Sequence, residues 1–122
     1  MVLIVTSGRA AFLLDVLNDL EGDGVPTVVT EGSRDPAPIT PGSIDLVILD
    51  PYDDEGDGIS RVGAIRSRYS VPVLVISRRL SVEKRVSLLD GGADLILEVP
   101  YHRRELLAYV HAVQRRRRFL TD

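Results

Sequence analysis

The sequence predicts an α/β domain built on a parallel sheet with helices on both faces. Three observations predict it. Short runs rich in Val, Ile and Leu recur without polar alternation, as strands covered on both sides require. Segments with helical periodicity lie between them. The 122 residues, 44% of them hydrophobic, suit one compact domain with a real core.

Four buried strands are read at residues 2–6, 44–50, 71–77 and 94–99. A weaker strand at 25–30 carries Pro26 near its start, which fits a sheet edge. Residues 9–20 place Leu13, Val16, Leu17 and Leu20 on one helical stripe, and Gly22 follows as a stop. Residues 58–69 bring Ile59, Val62, Ile65 and Tyr69 to one face. Ser81 is positioned to cap a helix that carries Val82, Val86 and Leu89 and ends at Gly91-Gly92. Residues 102–118 group Leu106, Tyr109, Val110 and Val113. Between the second and third strands, "EGSRDPAPITPGS" holds Pro36, Pro38 and Pro41, so a loop or one short turn replaces a full helix there.

Several functions are excluded by composition. The chain has no cysteine, which removes disulfides, thiolate catalysis and thiolate metal sites. A net charge of −3 argues against wrapping nucleic acid by this domain. No apolar run reaches the roughly 18 residues a membrane helix needs. No basic stretch precedes an apolar one at the start, and a cytoplasmic domain is expected. No catalytic triad, phosphate loop or histidine metal site is visible, and no enzymatic activity is expected. The basic run Arg115–Arg118 reads as a solvated helix end that complements the dipole.

In a parallel sheet with right-handed crossovers, a site forms at the carboxyl ends of the strands. Those ends here are Thr6-Ser7, Asp50, Ser77 and Val99-Pro100. The pieces "DLVILDPYDDEGDG", "VPVLVIS" and "DGGADLILEVPY", in this order and spacing, resemble the receiver domain of two-component response regulators over essentially the whole chain. The stretch "RVSLLDGGADLILEVPYHRRELLAYVHAVQRR" is most similar to the OmpR/PhoB family, whose receivers precede a winged-helix DNA-binding domain. The resemblance implies a flavodoxin-like fold with strand order 2-1-3-4-5 and one receiver-like domain over residues 1–122, the front part of a longer regulator.

The resemblance also assigns site positions. Asp50 stands at the phosphoacceptor position. The family's acidic pair at the end of the first strand is here Thr6 and Ser7. Its lysine is Val99, its switch aromatic is Ile96, and the small residue after Ser77 is Arg78. Asp54 takes the place of a loop proline. Asp50, Ser77, Gly58, Gly92-Ala93-Asp94 and Pro100 are kept, and Val99-Pro100 matches a cis peptide position. A pocket short of two carboxylates holds magnesium weakly or not at all. One charge pair at about 4 Å is worth roughly 4 kcal/mol at an effective dielectric near 20. Asp53, Asp54, Glu55 and Asp57 offer only loop carboxylates. With no metal or lysine, Asp50 needs a partner, and the expectation is an ion pair with Arg78.

The resemblance further implies a dimer face on the helix at 81–90, the last strand and the last helix. Arg85 and Glu105 match one cross-interface ion pair, Asp94 and His111 a second, and Asp90 and Arg116 a third. A fourth pair is replaced on both sides by Leu95 and Tyr109, a change that keeps a packed face intact. The expected function is phosphorylation-independent homodimerisation that positions a fused or partner DNA-binding domain, with no direct nucleic-acid or membrane contact. Two alternatives remain open: a phosphoacceptor at Asp50 with an unusual metal site, and a small-molecule sensor using the altered rim.

Overall fold

The computed structural model describes residues 1–6, 12–31, 41–50 and 57–121. Five strands run through it: β1 (Val2–Thr6), β2 (Thr27–Glu31), β3 (Leu46–Leu49), β4 (Val73–Ser77) and β5 (Leu95–Glu98). The α-helices of the described residues are α1 (Leu13–Gly22), α2 (Asp57–Arg68), α3 (Val82–Asp90) and α4 (Arg103–Thr121). The sheet order is β2-β1-β3-β4-β5, as the family resemblance implies, and all pairs are parallel. The register is continuous across the centre: Ile4 lies beside Val29 on one side and Ile48 on the other, and Ile48 beside Leu74.

Alternate residues of each strand feed two separate cores. Val2, Ile4, Leu46, Ile48, Leu74, Ile76 and Leu97 face Val16 and Leu20 of α1 and Leu106, Val110 and Val113 of α4. Leu3, Val5, Val47, Leu49, Val73, Val75 and Ile96 face Val62 of α2 and Leu88 of α3, with Tyr69 and Val71 beside them. Two-sided burial explains why the strands read as unbroken apolar runs. Each fully buried Val, Leu or Ile contributes about 1.5–3 kcal/mol, so both layers draw their stability from this sheet.

β1 runs as the sequence predicts, the other strands and the helices differ at their ends by one to a few residues, and the expected first helical turn at 9–11 lies outside the described residues. Between β2 and β3, Pro41–Ser43 form a single 3-10 turn, while residues 32–40 lie outside the description. Ser81 caps α3 as expected, its Oγ accepting from the Lys84 N–H at 3.2 Å.

The apolar residues that mark α3 in the sequence, Val82, Val86 and Leu89, do not face the core. They are 75%, 49% and 45% exposed, while Leu88 is 4% exposed. The physical reason lies at positions 85 and 88, which share one side of the helix. Arg85 forms an ion pair with Glu98 of β5, and Leu88 packs into the α2–α3 core. These two contacts fix the rotation and turn the other stripe outward.

Candidate functional site

The carboxyl ends of the central strands gather polar groups that the sequence scatters. Asp50 follows β3 directly and is buried. Its N–H donates to the Val5 carbonyl at 3.1 Å, and its own carbonyl accepts from Arg61 Nη1 of α2 at 3.2 Å. Ser77 ends β4 and is also buried, with its hydroxyl donating to the Arg78 carbonyl at 2.8 Å. Val99 follows β5, donates its N–H to the Ser77 carbonyl at 2.9 Å, and packs against the α1–α4 core. The Val99-Pro100 peptide is cis. Thr6 closes β1, opposite Glu31 of β2. Ser7 and the acidic residues 53–55 lie outside the described residues. Ile96 is buried in the α2–α3 core, away from the rim.

The expected ion pair between Arg78 and Asp50 does not form. Arg78 is exposed and lines a cleft on the α1 side of the rim with Phe12, Asp15, Asp19, Val99, Pro100, Tyr101 and Arg103. Among the described residues, the arginine that reaches Asp50 is Arg61, and it meets the main chain. Sequence reasoning missed it because it searched the next strand end, whereas the opening of α2 returns beside the strand it follows. A basic residue one turn into that helix was the available signal.

The cleft encloses about 700 Å³. On its α1 wall, Asp19 accepts a hydrogen bond from the Tyr101 hydroxyl at 2.8 Å and an ion pair from Arg103 Nε at 3.5 Å. Burial pushes the Tyr101 hydroxyl well above the ordinary phenol range, and the hydrogen bond and charge of Asp19, with Asp15 beyond, push the same way.

A divalent cation of the kind receivers use needs several oxygen ligands. Among the described residues no group of three His, Asp or Glu side chains is placed to hold a metal.

The edge formed by α3, β5 and α4 carries the other sequence-assigned positions. Asp94 accepts from the Val73 N–H at 2.7 Å and pairs with Arg66 at 3.1 Å. Arg66 also donates to the Val71 carbonyl and lies against the turn at Gly92, whose φ is +122°. A Cβ at Gly92 would stand 3.0 Å from Arg66 Cγ, so glycine keeps this turn open. Asp94 is therefore a fastener between α2, the start of β4 and the turn before β5. His111 pairs with Asp23 at 2.6 Å, beside the end of α1. Tyr109 is half-buried with Leu95 against the α1–α4 core. Burial raises its hydroxyl pKa, with Asp94 adding and Arg116 and Arg66 opposing. Positions 109 and 111 diverge by about 200° around a helix, which separates His111 from the Asp94 side. Asp94 and His111, expected to pair across copies, each hold a partner in their own chain, and so does Arg85, which pairs with Glu98. Asp90 and Glu105 are exposed.

A doubly wound sheet in this order, with an aspartate at the centre of the rim and a serine at the next strand end, defines the receiver class of signalling domains. The sequence of the transcriptional regulatory protein CpxR of Escherichia coli is 33% identical over 116 residues, covering 94% of this chain and 49% of CpxR. The KDP operon transcriptional regulatory protein KdpE of Escherichia coli is 37% identical over 101 residues, covering 80% of this chain and 44% of KdpE. A two-component response regulator of Clostridium difficile superposes with a TM-score of 0.76 at 20% identity, over 95% of this chain and 97% of that one. No family model matches the chain. The protein is a response regulator receiver domain, homologous to the OmpR/PhoB-family regulators CpxR and KdpE. It spans about half the length of the curated relatives it matches. No helix among the described residues is long and apolar enough to cross a membrane.

Proposed function

We propose that this receiver signals without an aspartyl phosphate, as a homodimerisation module that positions a fused or partner DNA-binding domain of a transcriptional regulator. The observation that carries the reading is Val99. It occupies the position where the family resemblance calls for a lysine, and it packs into the α1–α4 core. An aliphatic side chain carries no charge to neutralise a phosphoryl group. The surroundings agree with it. The Ser77 hydroxyl is engaged by a main-chain carbonyl, Ile96 is locked in the opposite core, and the sequence has Thr6 and Ser7 where two carboxylates would help hold magnesium.

The dimer would use the α3–β5–α4 edge. Leu95 and Tyr109 form its centre, flanked by Arg85, Asp90, Glu105 and Arg116, and the exposed Val82, Val86 and Leu89 extend it along α3. Asp94 and His111 join only by exchanging the partners they hold within the chain. The test is made on the full-length protein. Incubation with a small phosphodonor and magnesium should leave the intact mass unchanged, and sedimentation without phosphodonor should give a dimer. Val86→Glu should yield a folded monomer. A phosphoryl adduct at Asp50, or a wild-type monomer at every concentration, overturns the proposal.

A further inference from the structure

The cleft between α1 and the β5–α4 connection has an arrangement that the dimer reading does not use. Its apolar lining comes from Phe12, Val99 and Pro100, and its charged lining from Asp15, Asp19, Arg78 and Arg103. Two of the four charges are already spent. Asp19 holds both the Tyr101 hydroxyl and Arg103, and this knot braces one wall. The other two, Asp15 and Arg78, are exposed, and neither forms an ion pair with another described residue. Among the described residues, the cleft thus presents a carboxylate and a guanidinium that form no ion pair, with each other or elsewhere, beside an apolar lining.

We propose that this cleft is a binding site for a small amphipathic zwitterion, such as an apolar amino acid or dipeptide. The carboxylate of the ligand lies on the Arg78 guanidinium, whose planar fork matches it. The ammonium group lies on Asp15, and the apolar body covers Phe12, Val99 and Pro100. A volume of about 700 Å³ falls within the range of small-molecule sites and exceeds one amino acid, so a dipeptide fits better than a single residue. The apolar side chain of Val99 is what makes the lining suitable, since an ammonium group at that position would repel the amine of the ligand. The Tyr101 hydroxyl stays protonated and bound to Asp19, so it shapes the wall without adding charge. The site is independent of whether Asp50 accepts a phosphoryl group or the domain dimerises.

The test titrates the full-length protein by calorimetry with the dipeptide phenylalanyl-phenylalanine, its N-acetyl form and its C-terminal amide. The free dipeptide should bind saturably, and each blocked form about tenfold more weakly. Arg78→Ala should bind the free dipeptide and the amide equally, and Asp15→Asn the free and acetylated forms equally. Both side chains are exposed, so both variants should keep the wild-type melting temperature, which separates lost binding from lost fold. Absence of saturable binding to the wild type, or equal affinity of wild type and both variants for the free dipeptide, overturns the proposal.

Discussion

The two helical layers use the same sheet in different ways. On one face, α1 and α4 bury their apolar stripes, and three polar links join them or their flanking residues: Tyr101 and Arg103 to Asp19, and His111 to Asp23. On the other face, α2 and α3 bury fewer helical side chains among the described residues, and α3 turns Val82, Val86 and Leu89 to solvent. Its fasteners, Arg66–Asp94 and Arg85–Glu98, run from helix to sheet margin instead of from helix to helix. The first face is built to stay closed, and the second keeps apolar surface in reserve at the sheet edge that the dimer proposal uses.

The sharpest way to break this contrast is a pair of leucine truncations. Leu106 is fully buried under α4, and Leu89 is 45% exposed on α3. Leu106→Ala should cost about 2–5 kcal/mol of unfolding free energy through lost burial and a residual cavity. Leu89→Ala should stay within about 0.5 kcal/mol when measured on dilute protein. Urea denaturation of both variants reads the difference directly, and equal losses would mean that α3 is packed as tightly as α4.

That contrast also marks how far the sequence could be read. Both-face burial was legible because parallel strands need unbroken apolar runs, as Val2–Thr6 and Val73–Ser77 show, whereas the strand order was legible only through the family resemblance. The Ser81 cap was legible because its chemistry is local. The inward face of α3 was not, because Val82, Val86 and Leu89 satisfy helical spacing as well as a core stripe does. Periodicity gives the spacing of a face but not its direction, which Arg85 and Leu88 set through partners distant in the chain. The gathering of Asp50, Ser77 and Val99 followed from topology. The partner of Asp50 and the duty of Asp94 did not, because both depend on where long arginine side chains of α2 come to rest.

Asp94 tests the fasteners of the second face. Its carboxylate takes the Val73 N–H and the Arg66 guanidinium, but it is more than one-third exposed, so the full value of a charged hydrogen bond is reduced by solvent. Asp94→Ala should lower stability by about 1 kcal/mol, and hydrogen exchange should speed up at the Val73 amide. If exchange there stays at the wild-type rate, the start of β4 is held by the sheet alone, and the Asp94 side chain is available to the dimer edge.

A change of similar size belongs to Tyr101 on the first face, and its pH dependence appears only in alkali. Its hydroxyl pKa in the folded protein lies above the value in the unfolded chain, through burial first and the Asp19 bond second. Below pH ~10 both states keep the proton, and the stabilisation from this residue is complete. As pH rises past ~10, the unfolded chain ionises first, so it binds fewer protons than the native state and stability falls. Tyr101→Phe removes that group and with it part of the alkaline slope, while at neutral pH it should cost only about 0.5–1.5 kcal/mol for the lost hydrogen bond. Denaturation curves from neutral pH into alkali should therefore bring wild type and variant closer together as pH rises. Parallel curves would mean that Tyr101 ionises equally in both states, and the link between α1 and the β5–α4 connection would then be no tighter than those of the outer face.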